Sequence, residues 1–173
     1  VKNISIAQFI ITVFWVPVAA AEEVAIFNGK DLSGWETVDP QYWSVENGVI
    51  KGSSDKALPR NTFIWSKIPV EDFYLSVDVK LELDNRNAGI QFRSVKHGGH
   101  EALGYQADVG QDVWGRLYHE SGRGKLDWRG LAEEHVKKGD WNHYEILAVG
   151  QRIWAAINGH LAFYTHDPQG ELK

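Results

Sequence analysis

The stretch Phe73-Tyr-Leu-Ser-Val-Asp-Val-Lys-Leu81 alternates, with Phe73, Leu75, Val77, Val79 and Leu81 on one side of an extended chain and Ser76, Asp78 and Lys80 on the other. Branched and aromatic residues at a period of two predict a strand with one face on a core and the other in water. To either side, Asn47-Gly48 separates Tyr42-Trp-Ser-Val45 from Val49-Ile50, and Asn158-Gly159 separates Arg152-Ile-Trp-Ala-Ala-Ile157 from His160-Leu-Ala-Phe-Tyr164. Both read as two-residue hairpins, because a type I′ turn needs two residues that tolerate positive φ. From Ala25 onward similar short runs are punctuated by Gly, Asn and Asp, with no long helical period, internal repeat or linker. The expected fold is all-β, a two-sheet antiparallel sandwich.

The chain's 173 residues fit one domain with a sizeable core. Lys+Arg total 18 against 23 Asp+Glu, so no broad basic field exists to condense on phosphates, and nucleic acid is not an expected partner. The absence of cysteine excludes disulfides, thiolate metal sites and a lipidated N-terminal cysteine. Lys2, the apolar run Phe9 to Val16, Pro17 and Ala19-Ala-Ala21 ahead of Glu22-Glu23 have the order of a secretory signal. A membrane anchor would need about 20 predominantly apolar residues, and Asn3, Ser5, Gln8 and Thr12 interrupt this run. Residues 1–21 are therefore expected to be removed and residues 22–173 exported as one domain, periplasmic or secreted and free of the membrane.

Three further strand candidates, Asn87 to Ser94, Gly104 to Gly110 and Val113 to Glu120, carry the chemistry. With Ile90, Phe92, Tyr105, Ala107, Val109, Val113 and Leu117 turned to the core, period two sends Gln91, Arg93, Gln106, Asp108, Trp114, Arg116, Tyr118 and Glu120 to the opposite face. A three-residue loop Gly110-Gln111-Asp112 would pair Val109 with Val113, Asp108 with Trp114 and Gln106 with Arg116. Carboxylate, amide, guanidinium, phenol and indole groups pointing one way are what holds sugars by hydrogen bonds and ring stacking. A solvated outer sheet face is the plain alternative, but such faces rarely concentrate Trp, Tyr and two Arg.

In that register Glu120 lies six residues beyond the partner of Asp108, roughly 20 Å along a strand at about 3.3 Å per residue. Ordinary glycosidase carboxylates sit about 5 to 9.5 Å apart, so this pair does not fit that mechanism. His97-Gly-Gly-His100-Glu101 contains metal-ligand types but reads more simply as a glycine-rich loop. No zincin, phosphate-loop or Gly-x-Ser-x-Gly motif occurs. Ser121 to Lys138 and Gly98 to Gly104 read as loops bordering a site, and Trp35, Trp43 and Trp141 as core residues.

Ile26-Phe-Asn-Gly-Lys-Asp-Leu-Ser-Gly-Trp35, Trp43-Ser-Val-Glu-Asn-Gly-Val-Ile50, Asp72 to Lys80, Asn87-Ala-Gly-Ile-Gln-Phe-Arg-Ser94, Gly104-Tyr-Gln-Ala-Asp-Val-Gly110 and Lys138-Gly-Asp-Trp-Asn142 together resemble the 3-keto-disaccharide hydrolase domain family of secreted bacterial proteins. The resemblance implies a concanavalin-like jelly roll, similar to laminarinase-type glucanases, with a sugar ligand on its concave face. Those glucanases carry Glu-x-Asp-x-x-Glu, of which Tyr105-Gln-Ala-Asp-Val-Gly110 keeps only the aspartate. Family members continue beyond a segment like His166-Asp-Pro-Gln-Gly170 into further strands, so this chain, ending at Lys173, is expected to lack C-terminal strands of the sandwich.

A ketone at C3 acidifies the C2 proton, so one base and a stabilised enolate can replace two glycosidase carboxylates. On this reading Asp108 is the base, with Glu120 and His119 in reserve as acid or base at the rim. Arg93 or Arg116 stabilises the enolate, Gln91 and Gln106 orient hydroxyls, and Trp114 and Tyr118 stack on the sugar. A divalent metal would suit the enolate, but the sequence names no ligands for it and no cofactor is assigned. The competing class is a non-catalytic carbohydrate-binding module on the same sandwich, and a third is a structural interaction domain.

Overall fold

The computed structural model describes residues 23–83 and 85–169; the expected signal segment, 1–21, lies outside the described residues. The strands are β1 (Trp35–Glu36), β2 (Trp43–Glu46), β3 (Val49–Gly52), β4 (Trp65–Ser66), β5 (Phe73–Val79), β6 (Asn87–His97), β7 (Glu101–Gly110), β8 (Leu117–Glu120), β9 (Gly124–Asp127), β10 (Asn142–Val149), β11 (Arg152–Ile157) and β12 (His160–His166). One antiparallel sheet has the order β6-β7-β8-β9 and the other β12-β11-β10-β5, with β1-β4 and β2-β3 as separate ribbons. The chain lays down β5, builds the whole first sheet, then returns to pair β10 with β5. The all-β antiparallel sandwich expected from the alternating runs, and the jelly roll implied by the resemblance, are the observed architecture.

Core residues come from both sheets: Phe92, Tyr105, Ala107, Val109 and Leu117 from the first, and Tyr144, Ile146, Ile153, Ile157 and Phe163 among those from the second. Phe73, Leu75, Val77, Val79 and Leu81 pack against this cluster, while Tyr74, Ser76 and Asp78 are exposed, as the alternation predicts. Trp35 and Trp43 are only half-buried and Trp141 is exposed, so the expectation that these tryptophans fill the core is corrected. Each lies on a short ribbon or at the start of a strand, outside the sandwich.

Both Asn-Gly hairpins form, joining Glu46 to Val49 and Ile157 to His160, with positive φ at all four turn residues. Asn158 also donates to Asn142 Oδ1 (2.9 Å) and to the His135 carbonyl (2.8 Å). Asn142 is fully buried and binds the backbone of Lys137 and Asp140 through three hydrogen bonds. It is the staple between the 137–140 turn and the second sheet. Asn142→Ala leaves these backbone groups without partners and is expected to cost about 2–3 kcal/mol, read as a lower denaturation midpoint at unchanged slope.

Two expectations about side-chain direction fail, each for a local backbone reason. A bulge between Phe92 and Val95 in β6, with Arg93 at φ 44°, breaks the period of two. The Arg93 side chain is consequently buried and donates to the carbonyls of Glu71 (2.8 Å) and Gly150 (2.5 Å) and to Asp72 Oδ1 (2.7 Å). Arg93 thus ties the first sheet to the edge of the second and is not a sugar-facing cation.

The second failure is the β7–β8 turn. The expected Val109–Val113 pairing does not occur; instead Ala107 pairs with Leu117, Gln106 with Tyr118, Tyr105 with His119 and Gly104 with Glu120. Residues 111–116 form a succession of tight turns, including Val113 N–H to the Gly110 carbonyl (3.1 Å) and Gly115 N–H to the Asp108 carbonyl (3.1 Å). The register differs from expectation by two residues, which keeps Arg116, Tyr118 and Glu120 on the polar face. Trp114, caught in the turn, points the other way and is a core residue with 1% exposure.

His119 is paired with Tyr105 and so belongs to the core side, which corrects its placement at the site rim. Its ring meets Tyr105 edge-on at 5.3 Å, and Nδ1 accepts the Arg123 N–H at 3.2 Å. The predicted loops are also shorter than read: β7 begins at Glu101, and the 121–138 segment contains β9 and a 3-10 turn, Glu133–His135.

Candidate active site

The outer face of the first sheet collects Gln91 from β6, Gln106 and Asp108 from β7, and Tyr118 and Glu120 from β8, with Arg116 entering just before β8. Asp108 sits beside Arg116 through the backbone bond Asp108 N–H to the Arg116 carbonyl (2.9 Å). Glu120, opposite Gly104, lies four residues from that point, roughly 13 Å along the strand at about 3.3 Å per residue. This is nearer than the expected register implied.

Asp108 is the centre of the face. Its side chain is buried, with 2% exposure, although it points away from the core. A directional relay holds it: Ser94 Oγ donates to Gln91 Oε1 (2.8 Å), Gln91 Nε2 to Gln106 Oε1 (2.9 Å), and Gln106 Nε2 to Asp108 Oδ1 (2.6 Å). Oδ1 is thereby occupied as an acceptor, and Oδ2 has no hydrogen-bond partner among the described residues. Burial pushes the Asp108 carboxyl up to about 6; the charge of Glu120 adds to this, and the Gln106 bond and the Arg116 charge oppose it. A carboxyl with that affinity is ionised at neutral pH yet basic enough to take a carbon-bound proton.

The two glutamines bond to each other and Gln106 bonds Asp108, so they position the carboxylate where the sequence reading had them orient substrate hydroxyls. Room for Gln106 comes from Gly89, directly across from Asp108. A Cβ at Gly89 would stand 2.5 Å from Gln106 Cγ. Gly89→Ala is expected to displace Gln106, at a cost of about 1–3 kcal/mol in stability and with a matching fall in turnover, seen by comparing melting curves with activity.

Arg116 donates from Nε to the Trp128 carbonyl (3.2 Å) and from Nη2 to Glu133 Oε2 (3.0 Å), while buried Nη1 has no partner among the described residues. Its guanidinium lies 5.6 Å from the centre of the Trp128 ring, and Lys125 Nζ lies 4.6 Å from it. Tyr118 meets the same ring at 6.0 Å, inclined by 62°. Half-buried Trp128 is therefore the indole beside Arg116 and Tyr118 on this face, where the sequence reading had Trp114. Trp128 and Glu133 were absent from the residues read out of the sequence. Both lie in the segment taken as loop, where no alternation assigns a facing; the only signal was an aromatic flanked by Asp127 and Arg129 in a glycine-containing stretch.

Glu120 is half-buried on the same face, and burial together with the charge of Glu101 raises its carboxyl above the ordinary value. No group of three or more His, Asp or Glu side chains is arranged to hold a metal ion among the described residues. Of the His97-Gly-Gly-His100-Glu101 candidates, His97 and Glu101 pair across the β6–β7 hairpin, and His100 lies 4.0 Å from the Glu101 carboxylate. Among the described residues no helix is long and apolar enough to cross a membrane.

A jelly-roll sandwich whose one polar face sets a buried carboxylate beside a cation and two aromatic rings belongs to the carbohydrate-active class of β-sandwich proteins. Within that class the chain belongs to the 3-keto-alpha-glucoside-1,2-lyase-like domain family, whose model matches residues 22–173. Its fold is similar to the crystal structure of a "putative glycosyl hydrolase" from Parabacteroides distasonis ATCC 8503, with a TM-score of 0.61 at 22% identity over 82% of this chain and 71% of the other. No curated protein matches the sequence significantly.

Proposed function

We propose that the protein is a hydrolase of lyase type that cleaves 3-keto-glycosides by eliminating the C1 substituent and then adding water. The observation that carries this reading is the juxtaposition of two buried, unpartnered charged atoms, Asp108 Oδ2 and Arg116 Nη1, on neighbouring positions of one sheet face. A buried polar atom left without a hydrogen bond is costly unless a ligand completes it, and a base beside a cation matches a reaction that removes a proton and builds an enolate.

In this mechanism Asp108 Oδ2 takes the C2 proton, and the C–H electron pair forms the enolate whose oxygen Arg116 Nη1 stabilises. Collapse of the enolate expels the C1 oxygen with its bonding pair, giving an enone and, after proton uptake, the free alcohol. Water adds at C1 and yields a proton to the Glu120 carboxylate, the proton on Asp108 exchanges with solvent while the enone is bound, and a solvent-derived proton then passes from Asp108 to C2, which restores both groups. Glu120 on the same face is the group for protonating the leaving oxygen, and Tyr118 and Trp128 stack on the sugar ring. The N-terminal signal read from the sequence would place this activity in the periplasm or outside the cell.

Running the reaction in D2O tests the proposal. The released 3-keto sugar should carry one deuterium at C2 beyond a no-enzyme control; release without C2 deuterium would overturn proton abstraction, as direct displacement at C1 leaves that hydrogen in place.

A further inference from the structure

At the Glu120 end of the molecule a concavity of about 170 Å³ opens between the β1-β4 ribbon and the β6–β7 hairpin. Its apolar part is Phe63 and Trp65, both half-buried, with ring centres 6.0 Å apart and planes inclined by 45°. Around them stand Glu36, Lys96, His100 and Glu101. Glu36 and Lys96 are bonded to each other across the mouth, and Glu101 accepts a hydrogen bond from Asn61 Nδ2 at 3.2 Å.

The wall is not a loose loop. Asp39, only 4% exposed, accepts two bonds from Arg60, each 2.7 Å, and one from Thr62 (3.0 Å), and Thr37 Oγ1 donates to the Phe63 carbonyl (2.7 Å). These bonds lock the 60–63 segment that presents Asn61 and Phe63. The site is therefore preformed, which spares a ligand the ordering cost of binding.

We propose that this cleft is a second, non-catalytic carbohydrate site that takes one neutral hexopyranose ring of a glycan. Aromatic faces pack on the axial C–H surface of a sugar, while carboxylate, amide and imidazole groups at the rim bind its hydroxyls. The Glu36–Lys96 pair is self-neutralising, leaving Glu101 and His100 as the remaining rim groups, which gives no cationic centre for a phosphate or an acidic sugar. Its volume matches one ring.

Seven residues of β7 separate Glu101 from Asp108, roughly 23 Å at about 3.3 Å per residue. A disaccharide held at Asp108 does not reach that far. The cleft is thus an anchor for a longer glycan or for a neighbouring chain, and it stands independently of the reaction proposed at Asp108.

The test uses the exported domain, residues 22–173, titrated with methyl α- and β-D-glucopyranoside and the matching galactosides while the Trp65 indole N–H signal is followed by NMR. At least one glycoside is expected to give a saturable shift, in Asp108→Asn as in the wild type. Trp65→Ala and Glu101→Gln should each weaken that binding about tenfold, as loss of one stacking or polar contact does. Turnover of a one-ring 3-keto methyl glycoside by Trp65→Ala should stay at the wild-type level. Glu101→Gln keeps the volume and decides the matter if Trp65→Ala does not fold. No saturable shift with any of the four glycosides, or equal binding in Glu101→Gln, would overturn the proposal. Because binding is read with unoxidised sugars, it remains readable even if 3-keto-glycosides are not cleaved.

Discussion

Asp108→Asn is expected to lower kcat on 3-keto-glycosides by about 10²–10⁴-fold, the range for removal of a positioned general base, and at the same time to make the protein more stable at neutral pH. The substitution keeps an oxygen for the Gln106 Nε2 donor at 2.6 Å and removes only the buried charge. The sign follows from linkage. The folded carboxyl titrates at about 6 and its ordinary value is 3.8, so the native state holds the proton more tightly than the unfolded chain. The contribution of Asp108 to wild-type stability is full below pH 4 and declines as pH rises toward 6 and beyond.

The decline amounts to on the order of 2–3 kcal/mol, because one pKa unit is about 1.4 kcal/mol. The variant, lacking the group, should show no such decline. Urea denaturation at pH 4 and pH 8 checks this: the two proteins should nearly coincide at the lower pH and diverge at the higher, with the variant more stable. Wild-type kcat/KM should rise with pH and level off above about 6, as the free base forms. A site that sacrifices stability to keep a reactive carboxylate buried produces this opposition, and a structural aspartate does not.

Arg116→Gln is the second large effect, expected at about 10²–10³-fold in kcat with a smaller change in KM, as for loss of one donor to a developing oxyanion. Glu133, its partner, is 28% exposed and is hydrated when the pair is broken, so stability should move by only about 1 kcal/mol. A loss confined to KM would make Arg116 a binding residue and place enolate stabilisation elsewhere. Steady-state kinetics on a one-ring 3-keto-glycoside separates the two results.

The legible part of this molecule was whatever a period of two controls. Phe73 to Val79, the two Asn-Gly hairpins and the inward set Phe92, Tyr105, Ala107, Val109 and Leu117 are strand residues between regular neighbours, and their side-chain direction follows from the backbone. Of the residues read as the site, Gln91, Gln106, Asp108, Arg116, Tyr118 and Glu120 do share a face. That survived an error in the β7–β8 turn because the register moved by two, an even number.

Arg93 and Trp114 were misread where the backbone departs from a regular strand, at a bulge and in a turn containing Gly115 at φ 68°. His119 was placed at the rim although its parity with Val113 and Leu117 in the same run already assigned it to the core side. Trp128 and Glu133 sit where turns and a 3-10 segment fold back over the sheet, and only tertiary contacts with Arg116 reveal their role.

The central claim is that a ketone at C3 is what makes the glycosidic bond breakable by one buried base. The most direct measurement incubates residues 22–173 with 3-keto-lactose and, in parallel, with unoxidised lactose, and follows released monosaccharides by chromatography. Cleavage of the keto sugar alone, abolished in Asp108→Asn, is the predicted result. Equal cleavage of both sugars, or cleavage of neither by protein shown to be folded, would contradict it, the latter placing the chain with carbohydrate-binding modules.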